Sequence, residues 1–400
     1  MKEAFYAYQA QTSPHPIGLE ISKAEGVYLI DSAGKKYFDL ISGLAVNNIG
    51  HRHPKVMAAI HKQLDAYLHV MPYGEFVQQP QVELATKLKS ILPDSLHSSY
   101  FVNSGAEAIE GAMKLAKRYT GKKEIISCHK SYHGSTHGAL SITGNETKRS
   151  AFYPLLDGID FIEFNKLSDL DKITKKTAAV IIETVQGDAG VRVPKAGYLQ
   201  AVREKCNQTG TLLILDEIQC GFGRTGSFFA FEQFDVVPDI LCLAKAMGGG
   251  MPMGCFIASK EMMHSFTHSP MLGHITTFGG HPVSCAAAIA NIEVIQDGLL
   301  NDVESKGQLI KRKLTHPLVK EIRQIGLMMA IDLPTQDITR QVVEKCLEKG
   351  VITFWFLSCP ASFRLAPPLV ISYAEIEEAC SLICGVFDEV YAAQLNEVSD

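Results

Sequence analysis

No stretch of this 400-residue chain is apolar for long enough to cross a bilayer as a helix. Neither sign of charge dominates: 38 Lys and Arg stand against 43 Asp and Glu, a formal net charge of −5. Neither nucleic acid nor a membrane is therefore an expected partner. The opening MKEAFYAYQAQTSPHP lacks the apolar core and small-residue cleavage site of a signal peptide, so a cytoplasmic location is expected. No CxxC pair occurs among the ten cysteines, most of which sit in apolar segments such as LCLAK around Cys242 and GCFIAS around Cys255. Those read as small buried hydrophobes in a reducing compartment. His51 with His53, and Cys128 with His129 and His133, do not match a zinc spacing, so no metal site is expected. Repeats, low-complexity tracts and obvious linkers are also missing.

What is present is an ordinary globular composition, 46% apolar and 20% charged. The length exceeds what one hydrophobic core usually serves, which predicts two domains. Apolar runs at 99–102, 124–128, 160–164, 178–183, 211–216, 240–244 and 254–259 read as strands. Helical patterns at 106–119, 168–175 and 197–208 lie between several of them. Short apolar strands joined by helices predict an α/β fold with a mostly parallel, doubly wound sheet. That sheet defines a large domain over 55–285. The segment GVYLIDSAGKKYFDL (26–40) reads as a hairpin turning at Ser32, Ala33 and Gly34. The tail alternates amphipathic helices with short strands near 326–333 and 363–365. The two ends, 1–54 and 286–400, are expected to form one smaller α+β domain.

Asp216 closes the apolar run in LLILDEIQCGFGRTG, at the strand end where open α/β sheets bind ligands. Taken alone, it equally fits a helix cap or a loop ion pair. Lys245 closes a second apolar run 29 residues later and precedes Gly248, Gly249 and Gly250. A lysine between an apolar strand and a glycine loop needs a partner or loses its charge. Imine formation with an aldehyde removes that cost, and a Schiff-base lysine with an Asp opposite a pyridine nitrogen is the pyridoxal-phosphate arrangement. The carboxylate keeps the ring protonated, so that it draws electrons from the substrate carbanion. FVNSGAEAIEGAMKLAKRY (101–119) is a strand, a small-residue turn and an amphipathic helix whose N-terminus offers an anion site. Ser104 adds a hydroxyl there, Gly105 allows close approach, and an ordinary Ser-Gly cap is the bland alternative. Tyr132, in SYHGST after a strand, is either a ring-stacking aromatic or a core residue.

Together these blocks resemble the class III pyridoxal-phosphate aminotransferases, the acetylornithine, ornithine and 4-aminobutyrate group. The resemblance runs from GVYLIDSAGKKYFDL and GHRHP through ETVQGDAGV, LAKAMGGGMPMG and TTFGGHP to FRLAPPLVI. It implies fold type I, with a seven-stranded sheet and a homodimer whose active sites lie at the interface. It further implies that Lys245 carries the cofactor and Asp216 pairs with the pyridine nitrogen. Gln219 would lie near the ring hydroxyl, with Tyr132 and Ile218 on the two ring faces. Ser104, Gly105 and Ala106 would hold the phosphate, helped by Thr277 from the neighbouring subunit. Arg364 would bind a substrate carboxylate, and Glu183 and Asp188 would face the substrate pocket.

Three positions depart from the family pattern. Ser135 stands where many members carry an arginine that holds a carboxylate, Gly43 where ornithine aminotransferases carry a tyrosine, and Asp188 where Glu is usual. The expected reaction is ping-pong transfer of a terminal (ω) amine from an amino acid or N-acyl amino acid to 2-oxoglutarate or pyruvate. The alternatives are an aminomutase or decarboxylase of the same fold, and a non-catalytic binding protein that kept it.

Overall fold

The computed structural model describes residues 1–399. Its centre is a seven-stranded sheet in the order Ser98–Val102, Gly254–Ala258, Ile240–Ala244, Leu212–Asp216, Thr177–Glu183, Glu124–Cys128, Ile159–Ile162. Gly254–Ala258 runs antiparallel to both neighbours, and the remaining pairs are parallel. Every residue of Thr177–Glu183, Leu212–Asp216 and Ile240–Ala244 is buried. Such strands cannot alternate polar and apolar positions, because helices cover both faces of the sheet.

Helix Gly105–Thr120 covers one face, packing Ala108, Ile109, Ala112 and Leu115 over Ile125, Ile181 and Ile214. The contact is close enough that a Cβ at Gly111 would lie 2.2 Å from the Phe256 ring. Helices Tyr198–Thr209 and Pro282–Gln296 fill the opposite face with Leu199, Val202, Cys206, Ile292 and Ile295. Among the described residues no single helix is long and apolar enough to cross a membrane.

Two four-stranded sheets complete the chain. Strands Ile21–Glu25, Tyr28–Asp31 and Lys36–Asp39 form an antiparallel meander, extended by Val351–Ile352. The meander turns where Asp31 Oδ1 accepts from the Ala33 and Lys35 amides, both at 2.9 Å. Glu321–Ile325, Met328–Asp332, Ser362–Leu365 and Phe354–Trp355 form the other sheet. Phe38 and Leu40 from the N-terminal part share a core with Leu327, Phe363 and Phe387 from the C-terminal part.

Two expectations shift. The strand expected at 160–164 is Ile159–Ile162, ending in step with its partner Glu124–Cys128 before Asn165 turns left-handed at φ +68°. The helix expected at 168–175 is a 3₁₀ segment, Leu167–Lys172. Only 14 residues separate the strands on either side of it, and a tight 3₁₀ connector suits so short a link.

Arg224 ties the two cores together. It is fully buried; its Nη1 donates to the carbonyls of Leu327 (3.0 Å) and Pro367, and its Nη2 to Asn48 Oδ1. Asn48 in turn donates to the Phe222 carbonyl at 2.8 Å. Arg224→Ala leaves several buried acceptors unpaired, so urea unfolding should show a loss of about 2–5 kcal/mol. Arg224→Lys should recover only part of it, since one ammonium cannot reach acceptors on three segments.

Candidate active site

The parallel strands bring three chain-distant groups to one sheet edge. Glu183 and Asp216 end adjacent strands as register partners. Lys245 follows directly on the next strand, Ile240–Ala244. They border a cavity of about 630 Å³, lined also by Phe354, Trp355 and Arg364 from the C-terminal sheet and by Leu44 from the N-terminal part.

Lys245 leaves its strand with φ +47°, a left-handed conformation that a non-glycine residue adopts at a cost and that turns its side chain off the strand. Burial pulls its amine below the ordinary lysine pKa, while the charge of Asp216 pushes the other way. An amine easily freed of its proton is a better nucleophile and base. Asp216 Oδ1 accepts from the Ile218 amide at 2.9 Å, and Oδ2 lies 2.7 Å from His133 Nδ1. The far ring nitrogen of His133 is buried with no hydrogen-bond partner among the described residues.

Ser104 caps helix Gly105–Thr120, its Oγ accepting from the Glu107 amide at 3.2 Å. Glu107 in turn accepts from the amide of Asn103, the residue before the cap, at 2.6 Å. The amides of the first turn and the positive end of the helix dipole then face the cavity as an anion site. Two glycines make the approach possible. A Cβ at Gly105 would meet Ile218 at 2.9 Å, and one at Gly254 would meet the Ser104 carbonyl at 2.1 Å. Tyr132 and Ile218 border the same space, as does Gln219, which occupies room left by Gly187. A lysine, an anion site, two ring-facing side chains and a buried carboxylate–imidazole pair suit a phosphorylated aldehyde with a heteroaromatic ring.

Arg364 stands at the other end of the cavity. Its Nη2 donates to Asp188 Oδ1 at 3.0 Å, and its guanidinium lies 4.4 Å from the Phe356 ring centroid. The Leu357 amide and Ser358 hydroxyl also donate to Asp188, each at 3.2 Å. Thr277 is exposed and lies outside the cavity of its own chain. Its neighbour Thr276 is the one tied in, accepting from Asn103 Nδ2 at 3.3 Å.

Comparison with known proteins decides the family. The model for class-III aminotransferases matches residues 8–387. The chain belongs to the class-III aminotransferases. It is 40% identical to the acetylornithine aminotransferase of Methanocaldococcus jannaschii, over 94% of each chain. The acetylornithine aminotransferase of Clostridium acetobutylicum is 36% identical over 92% of this chain and 95% of its own. Among solved structures, the ornithine aminotransferase of Toxoplasma gondii superposes with a TM-score of 0.90 at 29% identity, covering 98% of this chain and 96% of the other. A transaminase from the marine bacterium Virgibacillus gives 0.92 at 27% identity, covering 98% and 99%. The chain is thus a transaminase of fold type I that works with pyridoxal 5′-phosphate.

The cavity of this aminotransferase is also lined by residues that sequence patterns passed over. His133 stood among metal-like side chains, yet it bonds Asp216; its place beside Tyr132 in SYHGST was the available signal. His51 bonds Asp39 at 2.8 Å, and His53 accepts from the Lys55 amide at the start of helix Pro54–Ala66. Leu44, Phe354 and Trp355 carry no motif, since only the fold brings them to the cavity.

Glu183 is buried beside Asp216, and burial raises its pKa from 4.5 to about 7, although the Tyr132 and Gly187 amides donate to it. The folded enzyme therefore holds a proton that the unfolded chain releases near pH 4.5. The stability this contributes is complete below pH 4.5 and is lost as pH rises through 7. Glu183→Gln should flatten that decline by up to about 1.4 kcal/mol per pH unit, read from urea unfolding between pH 4.5 and 8.

Proposed function

We propose that this aminotransferase moves the terminal (ω) amine of a small molecule to a 2-oxo acid such as 2-oxoglutarate or pyruvate, with Lys245 as the covalent anchor of the cofactor. The observation that carries the reading is the placement of Lys245 between the Asp216–His133 pair and the N-terminus of helix Gly105–Thr120. When bound, the cofactor supplies an aldehyde that takes up the amine and a ring that accepts electrons from the reacting carbon.

The remaining work falls to side chains. Asp216 holds the ring nitrogen protonated, and His133 and the Ile218 amide hold Asp216 in place. Ser104, Gly105 and Ala106 bind the phosphate, while Tyr132 and Ile218 grip the two ring faces and Gln219 sits by the ring hydroxyl. Once displaced, the Lys245 amine carries a proton away from the substrate carbon and returns it to the cofactor side. Arg364 takes the acceptor's carboxylate, with Asp188 as its partner before binding and Glu183 on the pocket wall. The chain's relatives named acetylornithine and ornithine aminotransferase support chemistry at a terminal amine.

We place Thr277 on the phosphate of a second copy, making the functional unit a homodimer. Exposed Met271, Leu272, Ile275 and Phe278 flank it, an apolar surface suited to burial against another chain.

Borohydride reduction of the holoenzyme followed by peptide mapping should find the cofactor on Lys245. Label on any other lysine would overturn the assignment. Lys245→Ala should lower turnover by roughly a thousandfold or more. Turnover that needs no oxo acid would favour a mutase or decarboxylase instead. Mixing Lys245→Ala chains with inactive Thr277 variants should restore activity, because one site of each heterodimer regains both groups. A fully active monomer in light scattering would contradict the shared site.

A further inference from the structure

Thr277 is carried by a segment, 265–280, that lies along the same helix whose N-terminus forms the anion site of its own chain. Beyond the 3₁₀ turn Ser265–Thr267 the segment is loop, and helix Gly105–Thr120 fixes its course. Near the helix C-terminus, Arg118 donates from Nε to the Ser265 carbonyl at 3.1 Å and from its other nitrogens to the His268 and Ser269 carbonyls. One turn back, Lys114 Nζ donates to the Gly273 carbonyl at 3.0 Å and to His274 Nδ1 at 3.1 Å. Just before the helix start, Asn103 Nδ2 donates to Thr276 Oγ1 at 3.3 Å, and the same oxygen accepts from the Gly279 amide at 3.1 Å. The segment therefore runs from the C-terminal end of the helix back to its N-terminal end.

The strand that enters the phosphate turn holds the segment as well. Tyr100, on Ser98–Val102, donates its hydroxyl to the His274 carbonyl at 2.8 Å. The His274 ring packs among Tyr100, Phe266 and Phe256, with centroids 5.1, 5.2 and 5.8 Å away. Burial and the Lys114 charge lower the pKa of His274 to about 4, so the neutral ring accepts a hydrogen bond from the lysine. A Cβ at Gly279 would lie 2.4 Å from the Phe101 carbonyl, so the two backbones touch there. Between the anchored Thr276 and Gly279, Thr277 and Phe278 are exposed. Each anchor is a directional bond, and a contact residue ordered in advance loses less freedom when it binds.

We propose that Tyr100, Asn103, Lys114 and Thr276 are positioning residues that act in trans: the phosphate helix of each chain lays out the strap that completes the phosphate site of the other. This rests on the reading of Thr277 given above and adds what aims that residue. The local phosphate turn does not depend on the strap in the same way. Asn103 Nδ2 also donates to Glu107 Oε2 at 2.9 Å, so the turn keeps a hold when Thr276 is altered. Lys114 lies roughly 13 Å along the helix from Gly105, beyond reach of its own phosphate turn.

The test alters one chain and reads the other. A chain with Lys245→Ala takes no borohydride-fixed cofactor at that position, so in a heterodimer the label counts a single site. Full-length heterodimers freed of cofactor are titrated with pyridoxal phosphate, reduced and mapped. With Thr276→Val placed in the Lys245→Ala chain, the concentration for half-labelling of the other chain should rise about three- to tenfold, as for one lost hydrogen bond. With Thr276→Val placed instead in the labelled chain, the concentration should stay within about twofold of native, because no bond to its own site is lost. Lys114→Ala, on an exposed side chain, should give the same asymmetry even if Thr276→Val fails to fold, and Thr276→Ser should restore native labelling. An effect as large in the labelled chain as across the interface, or no effect in either arrangement, would overturn the inference and leave the shared site standing. If Thr277→Val in the Lys245→Ala chain leaves labelling of the other chain unchanged, the shared site itself falls, and this inference with it.

Discussion

Glu183 and Asp216 are register partners on adjacent parallel strands, so two carboxylates emerge side by side at the edge of a buried sheet. Like charges that close, with little water between them, cannot both persist without help. The structure answers differently for each. Asp216 receives a backbone amide, an imidazole and a lysine across the cavity. Glu183 receives two amides but, among the described residues, no cation within bonding reach, and burial raises its pKa to about 7. The two acids thus have different partners, and Glu183 stays neutral enough to sit beside Asp216. Much of the surrounding architecture follows from keeping these strand ends in register.

The second dependence is between the two cores. Asp188 follows the central strand Thr177–Glu183, whereas Arg364 lies on Ser362–Leu365 of the C-terminal sheet. Their ion pair therefore reports how the sheets sit against each other. Arg224 fixes the same relation from below by binding carbonyls on both C-terminal segments together with Asn48. A buried arginine that satisfies several carbonyls defines relative position more sharply than apolar packing, because each bond has a direction. The substrate end of the cavity inherits its shape from that junction.

The central strands were legible because burial on both faces leaves an unbroken apolar run, and the chemistry-bearing residues fall at the ends of those runs. Lys245, Asp216 and the capped helix at Ser104 could be found this way, since a strand end and a helix start are local features. The strand at 159–162 and the short 3₁₀ segment at 167–172 were misplaced. Their limits are set by the length of a partner strand and by a left-handed Asn165, neither of which leaves a periodic signal.

The sequence by itself determined which lysine, which carboxylate and which helix start would meet, because each is written into a contiguous block with a recognisable order. Tertiary structure alone decided the company those groups keep. That His133 bonds Asp216, that Asp188 already occupies Arg364, and that Leu44 and Trp355 wall the same cavity are contacts between segments 83, 176 and 311 residues apart. No local pattern encodes such distances. They arise when two hydrophobic cores close on each other and the strand register brings the remaining side chains into one space.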